Sequence, residues 1–306
     1  MKLDAVIENV LSKIDEAGFN QEGAFNLRYN GVSLCHGDTD HIKIKRKEDK
    51  RGINVYIDKE VQGQQVHIPV VVAAGMTDVV YNDFYIEEGA NVTIIAGCGI
   101  HNAGCDNARH DGIHSFHVGK NAVVTYTEKH YGEGEGTGEK ILNPVTNIYL
   151  EEGAVFNLDS AQIGGVDSTD RKTLVTLAED ARLNVMEKLM THDAQTAVSD
   201  MTVELNGAGS SARIISRSVA KGNSVQTFHP IAVGNARCQA HVQCDSIIMD
   251  KAQIASIPEI NAKDIDAQIV HEAAIGRINN EQLLKLRTFG MTEEEAEAVI
   301  IEDFLA

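Results

Sequence analysis

The sequence predicts a mainly β protein, a parallel β-helix or similar stacked β-solenoid with short helical segments at both ends. Seven stretches share one plan: a β-rich run, a small turn containing Gly, Asn or Asp, and a second β-rich run. They are FYIEEGANVTII (84–95), FHVGKNAVVTYT (116–127), IYLEEGAVFNLD (148–159), LVTLAEDARLNVM (174–186), MTVELNGAGSSARII (201–215), IAVGNARCQAHV (231–242) and IIMDKAQIASI (247–257). The units return irregularly, about every 25 to 30 residues, which suits coils whose loops differ in length. One such unit cannot bury its apolar face alone, whereas parallel stacking pairs every backbone group and builds a continuous core. The strict six-residue period of hexapeptide acyltransferase solenoids is missing.

Taken in order, the chain begins with MKLDAVIENVLSKIDEAGF, an amphipathic helix with Val6, Val10, Leu11 and Ile14 on one face. Each solenoid corner must be tight, so Gly89, Gly119, Gly153, Gly207 and Gly234 are expected to supply positive φ there. The last segment reads as two helices. NNEQLLKLRTFG offers Asn start signals with Gly290 as a stop, and TEEEAEAVIIEDFL sets Thr292 and Glu295 as a capping box. The expected division is 1–50 for an N-terminal helix and mixed segment, 51–265 for the β-helix and 266–306 for a C-terminal helical segment. Two short helices form no stable domain alone, so they must dock on the solenoid or on a partner.

Composition narrows the function. The chain has 306 residues, 45 acidic against 27 basic, a net charge of −18 and no Trp. Nucleic acid and anionic lipid are poor partners for such a surface, because both reward clustered Lys and Arg. No run approaches the roughly 18 apolar residues of a membrane span, and the charges in the first helix exclude a signal peptide. A cytoplasmic protein is expected. Five cysteines, an odd number, argue for free thiols or metal ligands over a disulfide framework.

Three constellations could carry chemistry. The densest is CGIHNAGCDNARHDGIHSFH (98–117), with Cys98, His101, Cys105, Asp106, His110, Asp111, His114 and His117. Thiolates with imidazoles suit zinc or iron, but the spacing matches no standard zinc motif. In ARCQAHVQCDSIIMD, Cys238 and Cys244 share one face of an extended strand, with His241 and Asp245 on the other. Cysteines so placed are core residues more often than ligands. HEAAI (271–275) begins like a zincin motif but lacks the second His, and alternation lets at most one of His271 and Glu272 face a site shared with Cys244. The glycine-rich GEGEGTGEK (132–140) is no P-loop and reads as a flexible loop, and no GxSxG elbow occurs.

The run QCDSIIMDKAQIASIPEI, followed by IVHEAAIGRINNEQLLKLRTFGMTEEEAEAVIIEDFL, resembles the C-terminal part of the SufB/SufD family of iron–sulfur assembly scaffolds. RSVAKG (217–222) is similar to a family segment just upstream. The resemblance is detailed over roughly the last 90 residues and looser through the solenoid. It implies a right-handed parallel β-helix and a scaffold on which iron and sulfur are assembled into a transient cluster for apoproteins. It implies partners: a sulfur donor, the recipients, and a SufC-like ABC ATPase docking on the C-terminal helices through Leu283, Leu286, Phe289 and Met291. By position, Cys244 matches the family's sulfur- or cluster-binding cysteine, and Glu272 and His271 match the residues that complete its site. Cys98, Cys105, Cys238 and His101 stand as additional ligand candidates. Typical SufB chains are longer, so a compact form pairing with itself is expected, with Cys244 and Glu272 meeting within one chain or across a homodimer. A SufD-like partner that holds no cluster is the alternative.

Overall fold

The computed structural model describes residues 3–15, 19 and 22–306. The chain winds into a β-solenoid of about eight turns walled by two sheets. The first sheet runs in the order β2 (Val32–Gly37), β1 (Ala24–Tyr29), β5 (Gln62–Val72), β7 (Asn91–His101), β9 (Val123–Glu133), β12 (Val155–Gly164), β14 (Arg182–Thr191), β16 (Ser211–Ala220), β18 (Gln239–Ile248) and β21 (Gln268–Gly276). The second runs β19 (Gln253–Ser256), β17 (Val225–Gly234), β15 (Thr196–Leu205), β13 (Ser168–Leu177), β10 (Lys140–Leu142), β8 (Ala108–Val118), β6 (Thr77–Ile86), β4 (Gly52–Ile57) and β3 (Ile42–Arg46). Two short strands complete it: β11 (Val145–Leu150) between β8 and β13, and β20 (Glu259–Ala262) on β17. Pairing is parallel except in the hairpins β1–β2 and β3–β4. Parallel pairing therefore takes in β1 and β21, beyond the 51–265 span assigned to the solenoid from sequence.

The seven repeats are corners. Six carry the chain from the second sheet to the first, and the seventh, 247–257, carries it back. Gly89 and Gly153 do take positive φ, at 74° and 69°. Gly119, Gly207 and Gly234 do not, which corrects the expectation; at two of those corners Asn121 (56°) and Gly209 (75°) hold the left-handed position instead. Gly207 is small for another reason: a Cβ there would lie 2.0 Å from the backbone nitrogen of Glu179 in the neighbouring coil. GEGEGTGEK is stacked in the same way, since a Cβ on Gly134, Gly136 or Gly138 would strike the backbone at Asn102, Gly104 or Asp106.

Helix α1 (Ala5–Ile14) is capped by Asp4, whose side chain accepts from the Val6 amide at 3.0 Å. Its buried face is Ile7, Val10, Leu11 and Ile14. Ile7 replaces the expected Val6 because i, i+3, i+4, i+7 spacing closes on Ile7. Of the predicted N-terminal helix, residues 1–2 and 16–18 lie outside the described residues. The helix packs on β7, β9 and β5. Glycines make its seat: a Cβ on Gly97 would lie 2.7 Å from Ile14 Cβ, and one on Gly99 2.1 Å from Val10 Cγ1. At the other end, α2 (Asn280–Thr288) is capped by Asn279, and α3 (Glu293–Leu305) by the Thr292–Glu295 capping box.

The lumen has two unlike sides. Near the starts of first-sheet strands the inward residues stack as Val92, Val124, Phe156, Leu183, Ala212 and Ala240. Four residues along the same strands the column reads Ala96, Glu128, Ser160, Glu187, Ser216 and Cys244. The second sheet reverses the order: Asp78 pairs with His110 near the strand starts, and Phe84, Phe116, Ile148, Val175, Val203 and Ala232 stack near the ends. Because first-sheet ends lead into second-sheet starts, the polar groups gather on one side of the lumen. The aromatic side is packed ring on ring, with Phe84 and Phe116 stacked at 4.5 Å.

Candidate functional site

Cys244 sits where the polar column reaches the last coil. β18 alternates so that Ala240, Val242, Cys244 and Ser246 face the lumen. β21 then adds the terminal strand of the sheet, pairing Val242 with His271 and Cys244 with Ala273. His271 thus faces inward one step away from the cysteine and reaches it diagonally, Sγ to Nε2 at 3.1 Å. Cys244 is 2% exposed, and Glu187, Ser199, Ser216, Phe228 and Ser256 line the same small space.

The electrostatics hold this pair neutral at rest. Burial pushes the Cys244 thiol up, and the charges of Glu187 and Asp245 add to that against an opposing interaction with Ser256. Burial also pushes His271 down, with His241 acting in the same direction. The resting state is a thiol beside a neutral imidazole. Such an imidazole can accept the thiol proton, leaving the thiolate that attacks a sulfur or binds a soft metal. The two side chains together supply donors that suit iron.

Glu272 is not part of this pair. It lies on the opposite face of β21, as strand alternation requires, and its Oε2 is 3.4 Å from Nε2 of His241. Within one chain Cys244 therefore meets His271 and does not meet Glu272. The other candidates lie elsewhere. Cys98 is buried in the lumen of the second complete coil, with its thiol pushed up by burial. Four strands separate β7 from β18, placing Cys98 about 24 Å from Cys244 at the usual strand spacing. His101 is held by Glu133 at 2.9 Å, and Cys105 is exposed in the loop after β7. Cys238 is buried just before β18, near Gly234, and packs in the apolar core. Among the described residues no three His, Cys, Asp or Glu side chains are gathered as a ready cation site.

The C-terminal helices differ in how they are held. On α3, Ala296 and Leu305 are buried, Arg217 donates to the Phe304 carbonyl at 3.2 Å, and Lys221 pairs with Glu297 at 3.2 Å. On α2 nothing is buried. Leu283, Leu286 and Met291 are half-buried, while Phe289 is 73% and Leu284 63% exposed.

A protein-family model described as SUF system FeS cluster assembly, SufBD core domain, matches residues 72–304. The chain belongs to the SufBD family. It is similar to an iron–sulfur cluster assembly SufBD family protein of Archaeoglobus fulgidus, 28% identical over 271 residues that cover 87% of this chain and 72% of the relative. A SufBD family protein of Methanocaldococcus jannaschii is 25% identical over 315 residues, covering 100% of this chain and 97% of the relative. One from Pyrococcus horikoshii is 30% identical over 204 residues, 64% of this chain and 60% of the relative. This SufBD chain is thus an iron–sulfur cluster assembly protein with a mainly β solenoid fold. No helix among its described residues is long and apolar enough to cross a membrane.

The sequence reading missed the buried ionic network of this SufBD solenoid. Arg171 donates to Glu128 at 2.6 Å and to His130 at 3.1 Å, and its Nε lies 3.5 Å from Glu187. The signal was present in VVTYTEKHYGE, where Val124, Tyr126, Glu128 and His130 share the inward face. Charge at alternating positions of a core-facing strand marks a partnered interior.

Proposed function

We propose that this SufBD chain is a scaffold that accepts sulfur and iron at Cys244 and His271, builds a nascent cluster there and passes it to apoproteins. The observation that carries this reading is the 3.1 Å contact between Cys244 Sγ and His271 Nε2 in the last coil. A thiolate accepts sulfur as a nucleophile and holds iron as a soft ligand, while an imidazole binds more weakly than a second thiolate and leaves the cargo transferable. One chain contributes two donors, so a second copy facing the open end completes the set, with Glu272 joining from the outer face. Exposed Ile257 (53%), Val270 (51%) and Ile275 (43%) around that end support self-association. A SufC-like ABC ATPase docks on α2, whose Phe289 has no apolar cover of its own; ATP hydrolysis belongs to that partner and the scaffold itself catalyses nothing.

Anaerobic reconstitution with iron and sulfide tests this reading. Visible cluster absorption is expected for the native chain and its loss for Cys244→Ala, with weaker and less stable absorption for His271→Ala. Equal absorption in Cys244→Ala would remove the assignment. A second reading, a SufD-like partner that supports the ATPase without holding a cluster, is favoured by the burial and raised pKa of Cys244. It predicts ATPase binding that survives replacement of every cysteine and no cluster on the native chain.

A further inference from the structure

In a chain of net charge −18, the segment KIKRKEDKR (43–51) is an anomaly, with six basic residues. It spans β3 and the turn into β4. Three of its cations are already engaged. Lys47 pairs with Asp83, while Lys45 and Lys50 lie over the rings of Tyr56 and Tyr81 at 5.3 and 4.5 Å. Arg46 and Arg51 are exposed and have no ion-pair partner among the described residues.

Both arginines line a cavity of about 480 Å³ at the first coil, together with His36 of β2 and Arg28 of β1. Among the described residues no Asp or Glu lines it, although acidic residues outnumber basic ones in the whole chain. Arg28 is not the free charge here: Asp78 holds it at 2.6 and 2.8 Å, and it also donates to the Gly31 carbonyl. Its role is to brace the floor. Two amides complete that floor. Asn26 accepts from Ser33 through Oδ1, which leaves its NH2 group able to donate. Asn82 is 5% exposed and lines the cavity, and its side-chain amide makes no hydrogen bond among the described residues, which leaves it free to meet a ligand. Ile53 and Val80 give the floor an apolar part.

We propose that this cavity binds a small phosphomonoester, with Arg46 and Arg51 holding the phosphate and Asn26 and Asn82 bonding its organic body. Two guanidinium forks match a phosphate dianion in charge and in geometry. The volume lies within the roughly 300–1,000 Å³ typical of small-molecule sites. This site lies at the opposite end of the solenoid from Cys244, so it stands apart from the assembly reading.

Calorimetric titration of the full chain with inorganic phosphate, ribose 5-phosphate and ribose tests the proposal. Ribose 5-phosphate is expected to bind at least tenfold more tightly than phosphate, and ribose not at all. The double variant Arg46→Gln/Arg51→Gln should lose at least tenfold for both anions, with an unchanged melting curve because both side chains are exposed. Asn82→Leu should weaken ribose 5-phosphate but not inorganic phosphate. Silence from both anions at millimolar concentration overturns the proposal, as does undiminished binding by the double variant. A polyglutamate peptide binding more tightly than ribose 5-phosphate would also overturn it and make the surface a protein-docking one.

Discussion

The two sides of the lumen obey different rules within the same strands. On one side, Val, Ile, Leu and Phe fill the space between sheets, and each contributes by the area it withdraws from water. On the other, Glu128, Arg171, Glu187 and His130 are all 5% exposed or less and depend on one another for every charge. The apolar side tolerates a change of shape at the cost of a cavity. The polar side tolerates no loss of a partner, because a stranded buried charge has no compensation. The pair proposed for assembly sits on the second side: Cys244 continues the column that begins at Ala96 and passes through Glu128 and Glu187.

The largest expected effect tests that contrast directly. Arg171→Met keeps the volume but leaves Glu128 and Glu187 buried without their shared cation, and should cost about 3–5 kcal/mol by urea unfolding. Ile148→Val on the apolar side should cost about 0.5–1.5 kcal/mol. Equal losses would mean that the polar side is packed rather than paired.

Acid separates the two sides next. Burial holds His114 down to about 4, against about 6.5 in the unfolded chain. Above pH 6.5 both forms are neutral and nothing is lost. As pH falls below that value the unfolded imidazole takes a proton that the buried one refuses, so stability falls, by about 3 kcal/mol once pH is below about 4. Burial lowers His130 as well, which adds to the slope. Asp78 would be raised by burial, but Arg28 and His110 hold it well below its usual range. Its contribution is therefore present above the unfolded carboxylate value near 3.8 and is lost only as pH falls beneath that. Urea midpoints at pH 7 and pH 4.5 measure the slope, which His114→Phe should flatten in part. An unflattened slope would place the acid sensitivity on other groups.

How much of this was legible in the sequence follows from the range of each interaction. Corners and caps are local, so the seven turn units, the Asn279 and Thr292 caps and Gly290 at a φ of 96° could be read directly. Pairings across coils could not. Cys244 and His271 are 27 residues apart, and the parallel register decides whether His271 or Glu272 meets the thiol. A slip of one residue would exchange them. Alternation allowed only one of the two inside, and resemblance pointed to both. The seat of α1 was hidden in the same way, since Gly97 and Gly99 acquire meaning only when Ile14 and Val10 lie against them.

That seat gives a smaller effect confined to the outer surface. Gly99→Val places methyl groups where Val10 Cγ1 already lies, and overpacking of this kind costs about 1–3 kcal/mol. Gly99 points away from the lumen, so the expected result is displacement of α1 with the ionic network intact. Faster tryptic cleavage after Lys13, with the pH slope of stability unchanged, would show it. A changed slope would mean that outer face and lumen are coupled.

The smallest effect concerns the helix that is least dependent on either side. Thr292→Ala removes the side chain that accepts from the Glu295 amide at 3.2 Å, half of the capping box of α3. A lost cap of this kind costs about 1 kcal/mol. The far end of α3 keeps its own anchors, with Leu305 buried and Arg217 bonded to the Phe304 carbonyl. Fraying should therefore be confined to the first turn, read as faster amide exchange over residues 293–298 with the urea midpoint barely moved. A midpoint shift as large as that of Arg171→Met would make the C-terminal helix a brace of the lumen, and the separation between the solenoid wall and the C-terminal segment would have to be abandoned.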